Sequence, residues 1–407
     1  MVATRHVSVK DGDLLLLVGT TKGLFVLKSD GRRSGWEGGG PHFPGNSVYA
    51  LAYDARNGRR RLWASTHSFH FGAVLQTSDD FGKKWTSPEA SSLKFPADSG
   101  LSLKQIWQIR PGRLDEPDSL YCGVEPASLF ESRDAGQSWS LVRGLHEHPH
   151  RPRWEPGGGG LCLHTIVPDP SDRRRLYVGI STGGVYRSDD GGRNWQARNR
   201  GIRAEFLPDK YPEFGQCVHK FVQHPARPER FFLQNHWGLY RSDDRGDSWQ
   251  DIARGVPSDF GFAMAIHPHD PDTAYIVPLE SDLFRCTPEG QLRAYRTRNA
   301  GRSWEPLTRG LPQRDALETI LRDAMTVDSL DPAGVYFGTR SGRVYGSRDG
   351  GTSWSLLREG LPPVVCVKAA VVGEPRKPRR SVRVGAAPAR RRPKPGRSRA
   401  GARKRKQ

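Results

Sequence analysis

The chain has 407 residues, 46 of them Gly, 31 Pro and 11 Trp, with 35% apolar residues and a formal charge of +19. That mix argues against long helices and for many short strands joined by turns. No stretch approaches the roughly 20 apolar residues of a membrane span, so a transmembrane segment is not expected.

The N-terminal MVATRHVSVKDGDLLLLVGT has only a short apolar run and no small-residue cleavage site, so it reads as a strand (LLLLVG, 14–19) and not as a signal peptide. A cytoplasmic location is the expectation. From there one pattern, S-x-D-x-G-x-x-W, recurs along the chain. It occurs as Ser78-Asp80-Gly82-Trp85, Ser132-Asp134-Gly136-Trp139 and Ser188-Asp190-Gly192-Trp195, then as Ser242-Asp244-Gly246-Trp249 and Ser347-Asp349-Gly351-Trp354. A sixth copy, Thr297-Asn299-Gly301-Trp304, has drifted, and a seventh, Ser29 to Trp36, keeps only the spacing. The first residues of successive copies lie 49, 54, 56, 54, 55 and 50 apart, a period of the propeller type.

Each copy has the same surroundings. A strand such as LCLHTIV (161–167) leads through an Asp-Pro-type turn to LYVGI (176–180), a short turn and GVYRS (184–188). The motif follows, and its Trp opens a fourth strand. Four strands, A to D, make one antiparallel blade. Within the motif, Gly supplies a backbone shape other residues resist, Asp accepts hydrogen bonds from turn amides, and Trp packs into the blade. The first repeat lacks an A strand, while an orphan strand, VVCVKAAV (364–371), ends the array. The expected fold is therefore all-β: a seven-bladed β-propeller of four-stranded antiparallel blades over residues 1–372, closed by the C-terminal strand completing the first blade.

The repeat and blade grammar resemble the Asp-box, or bacterial neuraminidase repeat, superfamily of propellers (BNR/YVTN/WD40-like). The resemblance covers roughly 14–371, and the chain looks like bacterial proteins labelled sialidase-like or exo-alpha-sialidase. It implies the fold firmly but not one activity, because one propeller hosts many. Sialidases of this superfamily have six blades, an R-I-P-type segment and an arginine triad. Here seven blades are counted, Ile109-Arg110-Pro111 has the wrong order, and no triad can be placed. Xyloglucanase-type members use two propellers and two aspartates, against one propeller here.

If the A strands are innermost, the D–A and B–C connections share one face and the Asp boxes occupy the other. The long connections 86–102, 140–160, 196–216 and 66–73 fall on the first face, and an insertion near 286–296 is expected on the box face. Function resides on variable loops above a rigid scaffold. Aligning the A strands places Tyr49, Gln105, His164, His219, Phe262 and Asp323 in register near the channel. The B-strand ends add His67, Glu125, Ser181, His236 and Arg340, with Glu280 nearby. The expectation is a His-rich polar channel mouth in which His67, Gln105, Glu125, His164, His219, His236, Glu280, Asp323 and Arg340 are ligand-binding candidates. No cofactor is required, but His164, His219 and His236 could hold a divalent metal. Catalytic residues are not assignable. The run His146-x-His148-x-His150 reads as a solvated loop, and His267 and His269 as structural. Trp107 and Trp237 are placed for core packing or for stacking on a ligand. The five cysteines contain no C-x-x-C pair, so neither a disulfide framework nor a cysteine zinc site is indicated.

Beyond the body, residues 373–407 form a tail with 15 Lys/Arg and one acid, a contribution of +14 that leaves about +5 for the propeller (19 − 14). Its Arg/Lys/Pro-rich composition cannot bury a core and is expected to be disordered. It suits weak contact with nucleic acid or an acidic surface. Three functions follow: a non-catalytic propeller binding a protein, small molecule or glycan at the channel mouth; a glycoside hydrolase acting there; or a nucleic-acid-associated scaffold using the tail.

Overall fold

The computed structural model describes residues 3–373; apart from Gly373, the basic tail lies outside the described residues. Seven antiparallel sheets follow one another along the chain. Blade one combines Val364–Val371 with Leu14–Thr20, Gly23–Ser29 and Glu37–His42, so the C-terminal strand supplies the missing A position. Leu14 pairs with Val371 and Thr20 with Val364 across this closure. The closure covers the inner edge of Leu14–Thr20, which would otherwise lie open to pairing with another chain.

Blades three to seven begin at Gln105–Pro111, Leu163–Pro168, Val218–His224, Gly261–Ile266 and Met325–Val327, and each has four strands. Blade two has three: Ser47–Asp54, Arg61–Ser68 and Gly72–Ser78. Its D position is reduced to Thr86, whose N–H donates to the Thr77 carbonyl at 2.9 Å. The only α-helical turn among the described residues is Arg143–His146, and no helix there is long and apolar enough to cross a membrane.

The core consists of apolar layers between neighbouring blades. Seven clusters correspond to the seven interfaces, including the one between blade seven and blade one, where Val344 and Tyr336 meet Leu14, Leu16 and Val18. The run LLLLV illustrates the sequence logic. Side chains alternate along a strand, so Leu14, Leu16 and Val18 face blade seven while Leu15 and Leu17 face blade two. Both faces are covered, which is why the segment is apolar throughout.

The Asp boxes fix the C–D hairpins. In blade three, Ser132 Oγ accepts the Gly136 N–H at 2.8 Å and donates to Asp134 Oδ1 at 2.8 Å, while Asp134 also accepts the Ser138 N–H at 2.9 Å. The drifted copy keeps this net: Thr297 Oγ1 accepts the Gly301 N–H at 2.7 Å and Asn299 accepts the Ser303 N–H at 3.0 Å. These contacts are all spent within the hairpin, so the motif is scaffold on its face.

Candidate functional site

The opposite face carries the D–A and B–C connections. Seven of the nine exposed large apolar side chains among the described residues sit on its loops: Phe69, Phe71, Phe206, Tyr211, Leu283, Phe284 and Leu317. The insertion expected on the box face belongs here too. Residues 279–293 join Ala274–Pro278 to Ala294–Thr297, the B and C strands of blade six. A strand of only four residues leaves a weak periodic signal, and misplacing it moves the loop to the wrong face.

A cavity of about 880 Å³ opens on this face over blades four to six. Its apolar wall includes Phe206, Phe214, Phe260 and Phe262, and its basic groups are Arg153, Arg285 and Arg322. The phenylalanines are held in place by neighbours. Phe214 lies between His150, with centroids 4.0 Å apart, and the Arg153 guanidinium at 4.6 Å. Arg285 stands 5.5 Å over Phe262, and Phe206 lies 5.1 Å from Trp237.

The cavity floor is built on blade five. Cys217 and His219 straddle the start of the A strand, and His236 follows the B strand. The His236 N–H donates to the Cys217 carbonyl at 2.9 Å, so antiparallel pairing brings these two residues side by side. His219 is 3% exposed, and its Nδ1 donates to the Gly261 carbonyl at 2.6 Å, which leaves Nε2 facing Cys217 Sγ at 3.6 Å. His236 Nε2 lies 3.4 Å from Asp282, supplied by the blade-six insertion. Burial, reinforced by Arg322, holds His219 well below the usual histidine range. Burial also lowers His236, with Asp282 opposing. Burial raises the Cys217 thiol, with Arg322 opposing.

Of the nine ligand candidates from sequence, the cavity lining includes His219 and His236. Ser181 and Phe262, the further register positions, line it as well. His164 does not join them. It is fully buried, with Nε2 donating to the Val218 carbonyl at 2.9 Å and Nδ1 accepting from the Thr165 hydroxyl at 2.9 Å, so both nitrogens are spent, the first tying blade four to blade five and the second within its own strand. Asp323 sits in the channel wall, ion-paired with Lys220. Burial raises its carboxyl, but Lys220 and Lys368 outweigh that and leave it below the usual range. Glu125 accepts from Trp107 Nε1 at 3.2 Å, Arg322 covers that indole at 5.5 Å, and Gln105 is the cross-strand partner of Glu125. His67 and Glu280 are exposed, and the Arg340 N–H donates to the Thr319 carbonyl at 2.9 Å.

The triple-histidine run is not a chelate. His146 contacts Ser128, His148 the Trp195 carbonyl and His150 the Tyr186 hydroxyl, three different anchors for one loop. His269 Nε2 donates to the Leu330 carbonyl at 3.0 Å, a structural contact. Sequence reasoning missed Cys217 and Arg285. The spacing Cys217-x-His219 was visible, since alternate strand residues share a side, but no pairing of cysteines drew attention to it.

A family model described as "Sortilin, neurotensin receptor 3" matches residues 183–314, the stretch that supplies most of the cavity. A probable oligoxyloglucan-reducing end-specific xyloglucanase of Neosartorya fischeri is 22% identical over 228 residues, covering 47% of this chain and 26% of that protein. Xyloglucanase Xgh74A of Acetivibrio thermocellus is 26% identical over 152 residues, 33% of this chain and 17% of that protein. The chain thus spans about a quarter or less of these relatives. Among solved structures, the GH74 enzyme of Niastella koreensis superposes with a TM-score of 0.57 at 16% identity, over 88% of this chain and 56% of that one. The GH74 xyloglucanase of Xanthomonas campestris gives 0.56 at 18% identity, over 86% and 53%. At these identities the likeness is one of fold.

Proposed function

We propose that this chain is a binding propeller whose loop-rich face takes a ligand with an apolar or aromatic body and an acidic group, a peptide being the class that fits best. The observation that carries this is the cavity itself. Its phenylalanines offer apolar area and ring faces, while Arg285 and Arg322 offer donors for a carboxylate. The exposed apolar side chains Phe206, Tyr211, Leu283 and Phe284 on its loops extend the contact surface in the way of an interaction site. The matched family, described as a neurotensin receptor, supports a peptide as the class.

The xyloglucanase relatives suggest a second reading, glycan hydrolysis at the same mouth. That chemistry requires two carboxyl groups roughly 5–9.5 Å apart across the scissile bond. The carboxylates lining this cavity, Glu155, Asp209 and Glu213, are exposed on the rim loops, and its floor carries a thiol, imidazoles and a guanidinium. Binding is therefore the better supported of the two.

The test uses 8-anilinonaphthalene-1-sulfonate, an aromatic anion, together with an array of aromatic and acidic peptides. The dye is expected to bind saturably at one site, to change the emission of Trp237, and to bind at least tenfold more weakly to Arg285→Glu. Arg133→Glu, on the box face, is the control. Equal binding by wild type and Arg285→Glu, or release of sugar from xyloglucan oligosaccharides, overturns the reading.

A further inference from the structure

The floor of the cavity has chemistry that ligand binding by apolar contact and charge does not use. Cys217 Sγ, a His219 nitrogen and a His236 nitrogen all lie within 4.8 Å of one another. Tetrahedral zinc, with bonds of about 2.3 Å to sulfur and 2.0–2.1 Å to nitrogen, places its ligands roughly 3.4–3.7 Å apart. The Cys217–His219 separation of 3.6 Å already has this value. Each imidazole is also oriented from behind. His219 Nδ1–H is tied to the Gly261 carbonyl at 2.6 Å, which fixes the tautomer that leaves Nε2 as a lone-pair donor. Asp282 stands 3.4 Å from His236 Nε2, so Nδ1 would be the nitrogen that ligates. A backbone carbonyl or a carboxylate behind each imidazole is the arrangement that orients metal-bound histidines.

We propose that Cys217, His219 and His236 hold one divalent transition metal of the zinc class, with a fourth position open to the cavity. Soft thiolate plus two imidazoles select zinc or cobalt over calcium or magnesium. Binding displaces the Cys217 proton to solvent, so one thiolate and Asp282 together balance the two charges of the ion. Arg322, whose Nε donates to the His219 carbonyl at 2.5 Å, lies beside the site, and its charge opposes a cation there. The open position would receive the acidic group of the ligand. That last step rests on the binding reading above, whereas the metal site does not.

The experiment is a titration of the full metal-free chain with Co²⁺, followed by absorbance. The expected result is one equivalent bound, with tetrahedral d–d bands and a thiolate-to-cobalt charge-transfer band. Cys217→Ser should abolish the charge-transfer band. Asp282→Asn, at an exposed position, should weaken affinity 10–100-fold with an unchanged melting temperature. If Cys217→Ser fails to fold, the partly exposed His236→Gln replaces it and should lower affinity at least 100-fold. Octahedral spectra without charge transfer, or a charge-transfer band that survives in Cys217→Ser, overturn the proposal. The dye titration repeated on metal-free protein separates the two ideas: dye binding without a cobalt site sinks only the metal, and a cobalt site without dye binding sinks only the binding reading.

Discussion

Replacing Gly136 with Ala tests whether inter-blade packing, and not the hairpin alone, makes glycine necessary in the Asp box. Gly136 has φ +86°, and a Cβ there would lie 2.1 Å from Cη2 of Trp63 in the preceding blade. Trp63 is 2% exposed and packed among the residues between blades two and three, so its rigid indole has little room to move. Gly246 is the matched control: φ is +82°, but the nearest atom to an added Cβ is 3.7 Å away. The left-handed backbone costs an L-residue about 1–2 kcal/mol at either site. Overpacking adds about 1–3 kcal/mol at Gly136 alone. With about 2.1 cal/mol/K of unfolding entropy per residue over roughly 370 residues, each kcal/mol corresponds to about 1.3 °C. Gly136→Ala should therefore melt about 1–4 °C below Gly246→Ala by calorimetry. Equal melting of the two variants would show that Trp63 yields freely and refute the packing argument.

Acid should weaken the Asp boxes. Asp134, bound by the Ser138 hydroxyl and amide, titrates at about 2, as does Asp190, bound by the Asn194 amide. Burial opposes this in Asp80, Asp244 and Asp349, but their turn hydrogen bonds leave them lowered too. A depressed carboxyl stabilises the fold above its unfolded value of about 3.9. That contribution is lost as pH falls towards 2, so the melting temperature should drop steeply between pH 4 and 2. Asp134→Asn combined with Asp190→Asn should flatten this drop. In the channel wall, Asp323→Asn should destabilise by about 3–5 kcal/mol in urea unfolding because it leaves Lys220 and Lys368 without their counter-charge, and Lys220→Met with Asp323→Leu should recover only part of the loss, since Lys368 stays unpaired. A loss below 1 kcal/mol for the single variant would mean that water already solvates the pair. Ending the chain before Val364 should expose the edge of Leu14–Thr20 and yield aggregates in size-exclusion chromatography. Deleting residues 374–407, with their 15 Lys/Arg, should remove salt-sensitive retention on immobilised DNA, and unchanged retention over a salt titration would refute a nucleic-acid role for the tail.

The fold was legible because a propeller repeats its instructions. The box spacing, the LYVGI and GVYRS strands and the closing VVCVKAAV all appear in the structure at the positions read from sequence. Local chemistry suffices there: a hairpin needs its glycine and its amide acceptor wherever it stands. The face that carries the cavity was legible as well, because the alternation of strands fixes which connections share an end.

The membership of the cavity was not legible, for two physical reasons. Strand register carries irregularities, such as the shift between Val218 and Lys220, that alter which side chains point inward without any mark in composition. A histidine is also committed by its neighbours. His164 and His219 occupy equivalent strand positions, yet a carbonyl and a hydroxyl spend both nitrogens of one, while a single carbonyl leaves the other with a free lone pair. By itself, then, the sequence determined the ring of blades, its closure and the face on which the long connections lie. Only the tertiary structure decided that Cys217 and His236 become neighbours through antiparallel pairing, and that a loop from the next blade brings Asp282 and Arg285 to them.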